Sequence, residues 1–170
     1  MHALWRGGLG ATSVDALQSA IGIGRSSLYN AFNSKAELVL LAIDRYVTQA
    51  LEALESTFAE QGLAAAVELV LVDAATSNAE GRGCLLLNGL SELHEADADM
   101  LQAVRCGLDR IAQLLVRKAE ASANPVRDPA AFAAKFIASI AGVRSLQRAG
   151  LPAELTRRVA RDFAALVASS

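Results

Sequence analysis

The chain has 170 residues, 53% of them hydrophobic and 20% charged, which is enough apolar material to close a core and too much for a disordered chain. A formal net charge of −2 excludes a wholly basic nucleic-acid coat protein, but it leaves room for a small DNA-reading segment balanced by acid elsewhere. Ala and Leu far outnumber Val, Ile and Thr, and the three prolines all fall at or after Pro125, so an all-α fold is expected.

In chain order, residues 2–6 read as the last turns of a helix closed by Gly7, Gly8 and Gly10,. Ser13 caps a helix through Ala20, with Val14 and Leu17 facing inward, and Gly22 stops it. A short helix follows from Arg25 to Ala31, with Leu28 and Phe32 on one face. Ser34 and Glu37 form an S-x-x-E capping box that opens a long helix with apolar Leu38, Leu41, Tyr46, Leu51, Leu54 and Phe58, ended by Gly62,.

Residues 63–77 form another helix, Glu80 to Gly83 the loop after it, and Cys84–Leu93 an apolar helix. From Asp97 to Glu120, Leu101, Val104, Leu108, Ile111 and Leu115 repeat at three and four, with Arg105, Asp109, Arg110, Arg117 and Lys118 mostly off that stripe,. Asp128 before Pro129 reads as an N-cap with proline at the first helical position. Helices of 129–149 and 153–168 finish the chain. The expected boundary lies near residue 47, giving a DNA-binding head of 1–47 and a larger helical part of 48–170.

No apolar run approaches the roughly 18 residues of a bilayer span, and Met1 to Gly10 carries no sustained apolar stretch with a cleavage site. Cys84 and Cys106 are too few for a disulfide framework, read as buried inert thiols, and point to a reducing cytoplasm. With no G-x-S-x-G, no P-loop, no dinucleotide glycine pattern and only two histidines, an enzyme is not expected, nor is a cofactor. His94, Glu95, Asp97 and Asp99 lack the second His of a zinc-protease helix, and a solvated helix start is preferred to a metal site.

The functional signal lies in residues 13–31. Two short helices joined by Ile21-Gly22-Ile23-Gly24 form a helix-turn-helix pattern. The glycine permits the sharp turn, Ile21 and Ile23 fill the angle between the helices, and the second helix offers its N-terminal residues to a major groove. Ser26 and Ser27 permit close backbone approach, Arg25 suits guanine or phosphate, and Tyr29 can donate a hydroxyl to phosphate. Lys35 opens the next helix, where its ammonium and the free amides both suit a phosphate. Residues 1–35 hold Arg6, Arg25 and Lys35 against Asp15, so this segment is positive within an acidic chain.

The runs Ala11-Thr-Ser-Val-Asp-Ala-Leu, Gly22-Ile-Gly-Arg-Ser-Ser-Leu-Tyr-Asn-Ala-Phe and Ser34-Lys-Ala-Glu-Leu resemble the DNA-binding signature of the tetracycline-repressor (TetR) family of transcriptional regulators. The detailed resemblance covers residues 3–47. Gly83-Cys84-Leu85-Leu86 and Ala141-Gly-Val-Arg-Ser-Leu resemble recurring pieces of one group of family C-terminal domains. The resemblance implies a homodimer with two helix-turn-helix heads, a C-terminal domain that binds a small effector, and repression relieved by that effector. By position it places Thr12 and Ser13 at backbone phosphate, Arg25, Ser26 and Ser27 at the bases, and Tyr29, Asn30 and Lys35 at phosphate. Family members have a basic arm and more of the first helix before the position of Ala3, so a shortened first helix is expected here. A helical ligand-binding or interaction protein with DNA binding impaired by that shortening is the alternative.

The resemblance also suggests an apolar effector cavity within residues 48–149. Asn88, Glu92, Arg144 and Gln147 are candidates to orient a small hydrophobic ligand, with an interhelical hydrogen-bond role as the other reading. Phe132, Phe136, Ile140 and Val143 on one helix, and Leu155, Val159, Phe163 and Leu166 on the next, form two apolar stripes. Flanked by alanines and Gly142, they suggest a twofold four-helix dimer interface and palindromic half-sites.

Overall fold

The computed structural model describes residues 1–76 and 83–168. The described elements are α1 (His2–Gly7), α2 (Val14–Ile21), α3 (Arg25–Ala31), α4 (Lys35–Gln61), α5 (Leu63–Thr76), α6 (Leu85–Glu92), a 3-10 turn (Glu95–Asp97), α7 (Ala98–Glu120), α8 (Pro129–Arg148) and α9 (Ala153–Ala168). There is no strand among the described residues, and no helix there is long and apolar enough to cross a membrane. The expected loop segment Glu80 to Arg82 lies outside the described residues.

Local signals explain most of the boundaries. The Ser13 side chain accepts from Ala16 N at 3.1 Å at the start of α2, and Gly22 ends that helix at φ 77°. Asp128 accepts from Ala131 N at 2.9 Å with Pro129 opening α8. At α4 the capping box is only half formed. Glu37 N donates to Ser34 Oγ at 3.1 Å, but the Glu37 carboxylate passes Ser34 and accepts from the N–H and side chain of Asn33 at 3.2 and 2.7 Å. Asn33 offers two donors where Ser34 offers one backbone N–H.

The chain divides into two compact units, Met1–Gln49 with Leu85–Leu108, and Ala50–Cys84 with Asp109–Ser170. In the first, α1, α2, α3, the first part of α4, α6 and the first part of α7 enclose Leu4, Leu9, Leu17, Leu28, Val39, Ile43, Val47, Leu86 and Val104. Two glycines allow close approach. A Cβ on Gly89 would lie 2.7 Å from Leu9 Cδ1, and one on Gly107 would lie 2.6 Å from Val47 Cγ2. Leu41, expected on the apolar face of α4, is 52% exposed, because Val39, Ile43 and Val47 carry that face instead.

The second unit is built on α5 packed against α8 and α9. Its core holds Phe58, Val67, Leu71, Leu115, Phe132, Phe136, Val143 and Ala160, with Phe58 and Phe132 both ringed against Phe136 at centroid separations of 6.2 and 6.5 Å. This corrects the expected dimer stripe. Phe132, Phe136 and Val143 are enclosed by their own chain, in a cluster that takes in Phe58 of α4, Leu115 of α7 and residues of α5 and α9. Cys84 is buried as expected, whereas Cys106 is exposed.

Removing the Phe132 ring should leave a cavity at the centre of the second unit. Phe132→Ala is expected to cost ~3–5 kcal/mol in denaturant unfolding, against within about 0.5 kcal/mol for Leu41→Ala on the surface. A similar cost at both positions would contradict the described core.

Candidate nucleic-acid interface

The helix-turn-helix is held from within by Leu17 of α2 and Leu28 of α3, both buried, Leu28 completely. Ile21, expected to fill the angle between the helices, is instead 47% exposed. The turn depends on Gly22, whose left-handed backbone lets its N–H and that of Ile23 donate to the Gln18 carbonyl at 2.8 and 3.4 Å,.

With Leu28 turned inward, Arg25, Ser26, Ser27, Tyr29 and Asn30 are all exposed. The Arg25 guanidinium lies over the Tyr29 ring, 5.9 Å from its centroid, and 3.9 Å from Asp15 Oδ1. The Ser13 hydroxyl is exposed and caps α2 as an acceptor while its own hydrogen stays available,. Lys35 is half-buried, and its ammonium donates to the Gly10 carbonyl at 2.6 Å. Two further ammonium hydrogens are left for an outside acceptor.

Thr12 departs from the expectation. It is 3% exposed, and its hydroxyl donates to the Gly8 carbonyl. Its neighbours are so close that a Cβ on Gly7 would lie 2.5 Å from Thr12 Oγ1. Its side chain therefore locks the α1–α2 connection and does not face outward, which the small polar residue type alone could not reveal.

The four residues proposed to orient a ligand fall into both units. In the first, Asn88 is half-buried on α6, and Glu92 Oε2 accepts from the Leu9 N–H at 3.2 Å, tying α6 to the α1–α2 connection. In the second, Arg144 Nη1 donates to the Gly83 carbonyl at 3.1 Å, and Gln147 Nε2 donates to the Ala75 carbonyl. The Arg144 bond joins the two C-terminal segments singled out by resemblance. Sequence spacing gave no sign of the Glu92 contact with Leu9, since 83 positions separate the pair. No group of three or more potential metal ligands is found among the described residues, and Asp97 instead accepts from His94 N at 3.3 Å to close the 3-10 turn.

Since the Thr12 hydroxyl is internal, Thr12→Val should lower the stability of the protein by about 1 kcal/mol through loss of the hydroxyl bond to the Gly8 carbonyl, which keeps only the Thr12 N–H at 3.2 Å,. The dependence of any DNA affinity on salt should stay unchanged. A flatter salt slope with unaltered thermal unfolding would instead place Thr12 at a phosphate.

Residues 1–42 match the family model described as bacterial regulatory proteins, tetR family. No match is found among curated proteins. Among solved structures, the fold is similar to that of the TetR family transcriptional regulator CifR, solved as a cysteine mutant complexed with 26 bp double-strand operator DNA. The two share 20% identity at a TM-score of 0.81, over 95% of this chain and 90% of that one. The first 42 residues are thus similar in sequence to bacterial regulatory proteins of the tetR family, and the chain is similar in fold to a TetR family transcriptional regulator.

Proposed function

We propose that the protein is a cytoplasmic, non-enzymatic DNA-binding repressor that acts as a homodimer and is released from a palindromic operator by a small hydrophobic effector. The observation that carries this reading is the split of α3. Leu28 anchors the helix from within while five polar or aromatic residues around it stay exposed. A helix held by one buried leucine, with Arg25 at its first turn and no acidic residue there, suits the negative major groove. In the fold match, the relative is bound to operator DNA, which supports the same use here.

Residues 1–47 serve as the reading head and residues 48–170 as the effector-binding and dimerisation part. Arg25, Ser26 and Ser27 face bases, while Ser13, Tyr29, Asn30 and Lys35 face phosphate. Arg144 and Gln147 remain the effector contacts. Gln147 Oε1 is buried without a hydrogen-bond partner among the described residues, and a ligand donor would satisfy it. Glu92 and Asn88 belong to the unit that contains the head, where Glu92 relays strain from α6 to Leu9. A ligand shifts DNA affinity only by binding the two head arrangements unequally.

Selection of fragments from random duplex DNA tests the reading. The wild type should enrich a palindrome; failure to enrich any sequence would contradict it. Against the enriched fragment, Arg25→Ala should weaken binding by ~1–3 kcal/mol and relax one base position, while Lys35→Ala should weaken all sequences and lower the salt slope by about 1. Equal loss of specificity in both variants would overturn the division of roles.

For the dimer, the outward residues of α9 replace the buried part of the expected stripe. Leu155, Val159 and Phe163 are half-buried and Leu166 is 58% exposed, with Ile140 and Phe163 also partly packed on the core. Leu166→Glu should therefore yield monomers in sedimentation without unfolding the second unit, and should abolish operator binding together with dimerisation. A Leu166→Glu protein that remains dimeric would exclude this face.

A further inference from the structure

The helix that carries the proposed base-reading residues starts without a side chain of its own to cap it. Its N-cap residue is Gly24, which leaves the first amide N–H groups of α3 without a local acceptor. The neighbouring helix supplies one. Gln18 of α2 already accepts the Gly22 and Ile23 N–H groups on its backbone carbonyl. Its side-chain amide takes the orientation its neighbours require, oxygen toward α3 and nitrogen toward Asp15,. In that orientation its oxygen accepts the Arg25 backbone N–H, and its nitrogen donates to Asp15 Oδ1 at 3.1 Å.

One residue thus organises the whole connection. Three backbone donors of the turn and of the recognition helix, those of Gly22, Ile23 and Arg25, converge on Gln18. The same amide holds Asp15, whose Oδ1 lies 3.9 Å from Arg25 Nη1. Arg25 is therefore gripped at its backbone directly and at its guanidinium through Asp15, with the Tyr29 ring beneath. The Asp15–Arg25 pair is exposed, 82% and 66% at the two side chains, so it adds little to stability. Its consequence is direction: it limits where a long, flexible arginine points.

We propose that Gln18 is the positioning residue of the recognition helix, a cap provided by α2 that fixes the start of α3 and, through Asp15, aims Arg25. It thereby narrows the base preference at the position that Arg25 reads. This rests on the DNA-binding reading above, and the test separates the two. Gly24 allows a clean rescue, since its backbone is extended at φ −71° and ψ 163° and a Cβ there would meet nothing within 4 Å. Gly24→Ser can therefore restore a cap of the ordinary kind without restoring the grip on Asp15.

The experiment compares wild type, Gln18→Ala and Gln18→Ala with Gly24→Ser by two readouts. The first, in the free protein, is hydrogen exchange at the Leu28 amide, which donates to the Gly24 carbonyl at 3.0 Å. The second is selection from a random duplex library. Gln18→Ala should exchange about fivefold faster and select a broader base at one position. The double variant should regain protection yet keep the broadened base. Unchanged exchange in Gln18→Ala would overturn the cap. A sharp base preference in Gln18→Ala, or full recovery of it in the double variant, would overturn the aiming role. A wild type that enriches no fragment would defeat the DNA-binding reading instead, and the exchange readout would still decide the cap.

Discussion

Leu28 is fully enclosed while its neighbours Ser27 and Tyr29 are exposed, and the proposed chemistry of the head depends on that contrast. A seven-residue helix has too few internal hydrogen bonds to be stable alone,. It persists because Leu28 is buried, because α3 packs on α2, and because the turn at Gly22 sets the direction of the chain between them. Burying Leu28 also decides which residues face outward, so the packing that stabilises α3 selects its reading surface. The polar contacts around it have no comparable influence on the fold, since most are exposed and individually weak.

The same unit secures the other side of the head. Leu9 packs on Gly89 while its N–H is held by Glu92, and Thr12 and Lys35 close the α1–α2 connection through the carbonyls of Gly8 and Gly10. These contacts turn a glycine-rich link into a defined surface that joins α1 and α2 to α6 and the start of α4. A displacement of α6 would reach Leu9 directly, which gives the proposed effector response a physical route.

Much of this was readable from local residue chemistry. Ser13, Gly22, Asp128 and Pro129 mark helix ends because capping and turn geometry involve residues within four positions of each other,. Period-four spacing likewise placed Leu28 in the core. What spacing could not decide is which of two apolar faces looks inward when a helix has neighbours on both sides. Phe132, Phe136 and Val143 repeat as an interface stripe would, yet they lie buried in a cluster built from α4, α5, α7, α8 and α9. Leu41 fails for the converse reason, lying outside the arc of Val39, Ile43 and Val47. Thr12 bonds the carbonyl only four residues before it, yet its residue type did not reveal that the side chain is buried, whereas Glu92 takes the interhelical hydrogen-bond role that was one of its two readings, with a partner set by tertiary approach. Gln18 was overlooked because it sits in an ordinary helical position, and only the missing cap at Gly24 exposes its role.

The central claim, that burial of Leu28 presents the outer face of α3 to DNA, is tested most directly by following backbone amide NMR shifts during titration with a duplex selected by the protein. The account predicts that the largest changes fall on Arg25, Ser26, Ser27, Tyr29 and Asn30, with the Leu28 side-chain methyl signals holding their positions. Changes confined to α5, α8 and α9, with α3 silent, would contradict it.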